Sequence, residues 1–154
     1  MSKTFFIYDN FKSLPRHLVG YEKIVVLIDE NIAPLYGKFL PCPQIVISTG
    51  ERNKTLSTIE SIIGRLMDME CSRDTLLLCA GGGILTDIGG FAASIYKRGI
   101  RFAHIPTTLL SQVDASIGGK TGVNFQGYKN IIGTFSHPEF TYINTSTLKT
   151  LPHR

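Results

Sequence analysis

The sequence predicts an α/β layered domain with a mostly parallel sheet, and three observations carry that expectation. Continuous β-branched and aliphatic runs at residues 24–28 (Ile-Val-Val-Leu-Ile) and 76–79 read as strands covered on both faces. Between such runs the apolar period becomes helical, with Leu56, Ile59, Ile62, Ile63, Leu66 and Met67 on one stripe. The run from Leu76 ends in Gly81-Gly82-Gly83 before the helical pattern resumes. That is how a buried strand enters a turn whose backbone N–H groups face an anion. Strands alternating with helices give a parallel sheet in layers.

In order, residues 4–8 read as a first strand and residues 10–19, with Pro15, as a short helix. The strand at 24–28 ends at Asp29-Glu30-Asn31, and a helix follows through Leu35 and Tyr36. Pro41 and Pro43 punctuate the chain before a strand at 44–48, and residues 49–54 form a polar turn. In the helix from Thr55, Ser57 and Glu60 have capping-box spacing, with Thr55 as the alternative cap. After the strand at 76–79 comes a helix at 84–96, in which Gly89, Gly90, Ala92 and Ala93 permit close packing on a sheet. A strand at 100–105, a short helix at 109–115, a loop at 118–129, a strand at 140–143 and a helical turn at 146–151 complete the chain. The strand-ending loops fall on one edge of the sheet, where open α/β sheets bind ligands.

At 154 residues and 43% hydrophobic content the chain has one domain's length and one core. Mean hydropathy is +0.10 and the apolar runs are short, so no membrane span is expected. The first residues lack the apolar centre of a secretion signal. Three cysteines, Cys42, Cys71 and Cys79, have no metal-type spacing and fit a reducing cytoplasm better than a disulfide framework. The net charge of +4 is spread out, without the basic block of a nucleic-acid face. A phosphorylated or carboxylated metabolite accounts for it better.

The triplet does not satisfy G-x-G-x-x-G, because Thr86 stands where the last glycine belongs. Taken alone it fits either a tight turn or a phosphate cradle. Asp29, Glu51 and Lys54 on the same edge favour the cradle, since a carboxylate ending an early strand is the usual partner of ribose hydroxyls. Thr107 and Thr108 read as an N-cap pair or as hydroxyls directed at a cofactor. Asp114 lies among apolar and small residues and requires a partner, either Lys120 or a ligand hydroxyl. Lys120 follows Gly118-Gly119 and is expected on a permissive loop; its alternative is a solvated surface lysine. His17, His104, His137 and His153 share no metal-ligand spacing, and His104 reads as a hydrogen-bonded residue inside a strand.

Together these stretches closely resemble the 3-dehydroquinate synthase family. The resemblance is carried by Gly81-Gly82-Gly83 with Asp87, Tyr96-Lys97-Arg98-Gly99 and Pro106-Thr107-Thr108-Leu109-Leu110. It continues through Gln112-Val113-Asp114, residues 116–124, Lys129-Asn130 and residues 147–152. It implies a Rossmann-like NAD-binding domain over residues 1–154 and a mainly helical metal-binding domain outside this chain. It also implies that Asp29, Asn31, Glu51 and Lys54 hold the adenosine side of NAD, and that Gly82, Gly83, Ile84 and Asp87 cradle the pyrophosphate. Thr107, Thr108 and Leu110 would line the nicotinamide half, and Thr147, Leu148, Lys149 and Thr150 would close over the cofactor. Asp114, Lys120, Lys129 and Asn130 would face the cofactor–substrate junction, Lys120 and Asn130 taking the substrate phosphate, with Arg98 reaching a phosphate across a homodimer interface.

The implied reaction is transient oxidation by NAD, phosphate elimination, re-reduction and ring closure of a heptulosonate phosphate. A divalent metal, zinc or cobalt, would be held by residues outside the chain, so the isolated domain is expected to be inactive. Thr86, Thr49 and Gly127-Tyr128 depart from the family pattern. The competing readings are a related sugar-phosphate cyclase, a polyol dehydrogenase, and a free-standing nucleotide-binding module.

Overall fold

The computed structural model describes residues 2–8 and 11–152. Its strands are β1 (Lys3–Ile7), β2 (Ile24–Asp29), β3 (Gln44–Ile47), β4 (Leu76–Gly81), β5 (Arg101–Pro106), β6 (Lys120–Phe125), β7 (Tyr128–Phe135) and β8 (Phe140–Asn144). Its α-helices are α1 (Leu14–His17), α2 (Ala33–Tyr36), α3 (Leu56–Asp68) and α4 (Gly83–Ile95). Six strands form one sheet in the order β1-β8-β5-β4-β2-β3, each neighbouring pair parallel. β6 and β7 pair separately as an antiparallel hairpin. The architecture is α/β and Rossmann-like.

Each central strand is apolar on both faces because each face carries its own layer. Val25 and Leu27 pack with Leu77, Cys79, α3 and α4, whereas Val26 and Ile28 pack with Leu76, Leu78, Leu14 and Tyr142. Alternation along a strand sends consecutive side chains to opposite cores. In α3, Ile59, Ile62 and Leu66 are buried, and Met67 of the expected stripe is 62% exposed. Thr55 caps α3, its hydroxyl accepting the Thr58 N–H at 3.3 Å, so the Ser57–Glu60 spacing is not the cap.

The close approach expected of α4 is present on two sides. A Cβ on Gly89 would lie 2.4 Å from Cys79 Sγ of the sheet. A Cβ on Gly90 would lie 2.4 Å from Thr121 Cγ2 of the hairpin. Removing both side chains lets one helix sit between sheet and hairpin.

Three local expectations are corrected. The helix expected over 10–19 is one turn, Leu14–His17, and residue 10 lies outside the described residues. The segment expected as a loop over 118–129 is largely β6 and the turn into β7; Lys120 opens a strand. Gln126 and Gly127 both have positive φ, +48° and +83°, as a two-residue hairpin turn requires. The helix after β5 contains a π-type turn, Ser111–Ala115. The three cysteines are free thiols, Cys71 and Cys79 buried and Cys42 half-buried. Among the described residues no helix is long and apolar enough to cross a membrane.

Candidate active site

The chain steps from β2 to β3 in one direction, then back across β2 to β4 and onward to β5. The crevice at the carboxyl ends of β2 and β4 is therefore the switch point of the sheet, where such folds bind ligands. A cleft opens there, walled by Asp29, Asn31, Gly82, Gly83, Thr107 and Thr150 among others. Asp29 is 8% exposed. Its Oδ1 accepts Asn31 N–H at 2.7 Å and Asn31 Nδ2 at 2.9 Å, and its Oδ2 accepts the Thr49 hydroxyl. Thr49, which departs from the family pattern, thus secures the carboxylate.

Gly82 is the N-cap of α4, with no side chain to cover the first-turn amides. A Cβ on Gly82 would lie 3.2 Å from Thr108 Cγ2, and one on Gly83 would lie 3.3 Å from Ala115 Cβ. The helix dipole and open amides favour an anion here. Thr86 does not intrude: its hydroxyl donates to the Gly83 carbonyl at 2.9 Å and the residue is fully buried. The two threonines divide their work. Thr108 Oγ1 accepts the Ser111 N–H at 3.3 Å, as a cap does. Thr107 is 2% exposed, and its buried hydroxyl has no hydrogen-bond partner. An unpaired buried hydroxyl on the wall of a cleft fits a polar ligand atom.

A second cleft lies between the hairpin and the π-type turn. Its wall includes Asp87, Asp114, Lys120, Asn130, Thr134 and Phe135. Lys54, 5% exposed, reaches into this wall, donating to Asp87 Oδ2 at 2.5 Å and to Asn130 Oδ1 at 2.5 Å. Burial pushes the Asp87 carboxyl above its usual range; Lys54 opposes that shift, and the Asp114 and Glu51 charges add to it. Glu51 is held below its usual range, chiefly by the hydrogen bond from Asn124 Nδ2 at 2.9 Å. Lys129 Nζ lies 3.6 Å from the same carboxylate. The two clefts meet at the first turn of α4, where Gly83 walls one and faces Ala115 of the other.

The structure separates some residues grouped from the sequence. Lys54 is bonded to Asp87 and Asn130, and Glu51 to Asn124 with Lys129 beside it, whereas Asp29 is bonded to Asn31 and Thr49. Asp114, expected to pair with Lys120 or with a ligand hydroxyl, is exposed and has no ion pair among the described residues, so Lys120 is not its partner. Leu110 is 68% exposed on the turn beyond Thr108. The Thr147 hydroxyl is already engaged within the fold: it accepts Gln112 Nε2 at 3.1 Å and donates to the Asn144 carbonyl at 2.8 Å. Leu148 is half-buried, Lys149 lies over the Tyr8 ring, and Thr150 joins the cleft wall with Tyr36 OH at 3.0 Å.

Arg98 is at the far end of α4, about 20 Å from the glycine turn for a helix of this length. It is not brought to either cleft within this chain. Thr121, Gly122 and Thr134 of the second cleft wall escaped the sequence reading because the hairpin did. Among the described residues no group of three or more His, Cys, Asp or Glu side chains is placed to hold a metal ion, and His153 lies outside them.

A parallel α/β domain with an open helix N-terminus at its switch point is the architecture of a dinucleotide-type fold. The family model for the 3-dehydroquinate synthase N-terminal domain matches residues 44–154, and the chain belongs to that family. It is 42% identical over 155 aligned positions to a 3-dehydroquinate synthase of Alkaliphilus oremlandii, covering 96% of this chain and 43% of that protein. The chain thus spans less than half the length of the curated relatives it matches. Among solved structures it resembles a 2-epi-5-epi-valiolone synthase from Streptomyces hygroscopicus with NAD+ and Zn2+ bound (TM-score 0.89, 31% identity, 98% of this chain and 45% of the other). It also resembles a 2-deoxy-scyllo-inosose synthase complexed with carbaglucose-6-phosphate, NAD+ and Co2+ (TM-score 0.85, 27% identity, 97% and 44%).

Proposed function

We propose that this chain is the NAD-binding part of a 3-dehydroquinate synthase, which closes 3-deoxy-D-arabino-heptulosonate 7-phosphate to 3-dehydroquinate with loss of phosphate in the shikimate pathway. The observation that carries the reading is the meeting of the two clefts at the first turn of α4. A dinucleotide along one cleft then has its reactive end beside a substrate in the other. The fit to NAD rests on the uncovered amides at Gly82–Ile84, the bare Gly82 and Gly83 positions and the unpaired Thr107 hydroxyl.

In this reading Asp29, already oriented by Asn31 and Thr49, accepts ribose hydroxyls of the adenosine half. The N-terminal amides of α4 take the pyrophosphate, and Thr107 donates to the nicotinamide half. NAD supplies a transient hydride acceptor. Lys120 and Asn130 hold the substrate phosphate, lowering the cost of charge on the leaving group. Asp114 orients a substrate hydroxyl at the cleft mouth. Lys54 pairs with Asp87 between the two ligands and opposes the upward push of burial on its carboxyl. No step runs through a metal here; in this reading a zinc or cobalt ion would be held by the remainder of a polypeptide of the relatives' length. Arg98 serves a second subunit in a homodimer.

The test is phosphate release from the heptulosonate phosphate by a polypeptide of the relatives' length that contains this chain. Release should require NAD, and Lys120→Ala should lower kcat/KM by about 100-fold with the fold intact. NAD-independent release, or near-normal rates in the variant, would exclude the reading. The 154-residue chain alone should not turn over.

A further inference from the structure

The β6–β7 hairpin is irregular at one place. Val123 pairs with Ile132 and Phe125 with Tyr128, so Lys129, Asn130 and Ile131 stand opposite Asn124 alone. A bulge of this kind bends its strand and re-aims a side chain. Its middle residue, Asn130, has φ +53°, a left-handed conformation that side chains other than glycine adopt at a cost and that surrounding contacts must hold.

Those contacts converge on Asn124. Its Oδ1 accepts the Asn130 N–H at 2.9 Å, its Nδ2 donates to Glu51 Oε1 at 2.9 Å, and its backbone N–H donates to the Lys54 carbonyl at 2.8 Å. Lys54 Nζ closes the circuit on Asn130 Oδ1. Asn124 itself walls neither cleft.

We propose that Asn124 is the positioning residue of the hairpin cleft: it pins the bulge to the segment at 51–54 and so sets the Asn130 side chain toward the phosphate. The phosphate part rests on the functional reading above; the pin does not. An alanine at 124 frees the Asn130 N–H and the Glu51 carboxylate together. An aspartate keeps an oxygen for the Asn130 N–H but sets a second carboxylate against Glu51 where the donor stood, and pairing it with Glu51→Gln returns a donor to that contact.

The test compares the 154-residue chain with Asn124→Ala and with the paired change Asn124→Asp, Glu51→Gln by amide hydrogen exchange and by titration with inorganic phosphate and NAD. In Asn124→Ala, exchange at Asn130 should quicken by about tenfold and phosphate affinity fall by about fivefold, while NAD affinity stays within about twofold. Protection in β2 and β4 should not change. The paired change Asn124→Asp, Glu51→Gln, which exchanges donor and acceptor across the contact, should keep Asn130 protection within about twofold of the unaltered chain. The proposal is overturned if Asn130 protection is unchanged in Asn124→Ala, or if the paired change Asn124→Asp, Glu51→Gln loses as much as Asn124→Ala. It is also overturned if the bulge loosens and phosphate affinity does not move. If the unaltered chain takes up no phosphate, the functional reading fails, and exchange at Asn130 still decides whether Asn124 pins the bulge.

Discussion

Thr107 and His104 show how a single buried polar atom carries testable weight. The Thr107 hydroxyl is buried without a partner, so Thr107→Val removes an unsatisfied group and should raise the stability of the ligand-free chain by about 1 kcal/mol. The same change should weaken NAD binding by about fivefold. Urea unfolding and an NAD titration together check this opposition of signs. His104 is fully enclosed, and its Nδ1–H donates to the Ser116 carbonyl at 3.1 Å. Burial pushes its pKa down to about 4, below the usual 6.5. The unfolded chain therefore binds a proton that the native chain refuses. Stability is complete above about pH 6.5 and falls by about 3 kcal/mol as pH approaches 4. Unfolding free energies at pH 7 and pH 4.5 should differ, and His104→Gln should flatten the dependence. The sequence placed His104 in a strand as a hydrogen-bonded residue, and that reading holds, because a strand between two apolar neighbours leaves a histidine few other options.

At the scale of elements, what the sequence revealed and what it hid have physical reasons. The central strands and α3 were legible because burial on both faces and a one-sided helix stripe leave opposite periodicities. The hairpin was hidden by the glycines that build it. Gly122 and Gly133 face each other in register, and a Cβ on Gly133 would lie 2.0 Å from the Thr121 carbonyl oxygen. Those residues interrupt any strand pattern, and Gln126-Gly127 is a weaker turn signal than Asn-Gly. The burial expected of Asp114 fails for a related reason: apolar neighbours in sequence do not imply burial on a turn whose Leu109, Leu110, Val113 and Ile117 are themselves exposed. The hairpin depends on α4 lacking side chains at its contact. Gly90→Ala gains helix propensity, yet its Cβ meets Thr121 at 2.4 Å. Overpacking should prevail, with a net loss of about 2 kcal/mol by urea unfolding and disordering of β6 seen by amide exchange.

For the whole molecule, strand order decides where the candidate site lies. Crossing back over β2 places Asp29 and the glycine turn at one crevice, and α4 carries Asp87 from that crevice toward the hairpin. The sequence indicated the rim and its residues; it did not show that Lys54 belongs to the second cleft, since that depends on where α4 and the hairpin stand relative to the turn at 49–54. The account's central claim is that this rim holds a dinucleotide beside a phosphate-binding cleft. The most direct test is NAD titration of the 154-residue chain, followed by backbone amide shifts. Saturable shifts at Gly82, Gly83 and Thr107, reaching Asp87 and Lys120 but not the far end of α4, are the predicted result. No saturable shift at millimolar NAD, or shifts centred elsewhere on the sheet, would contradict it.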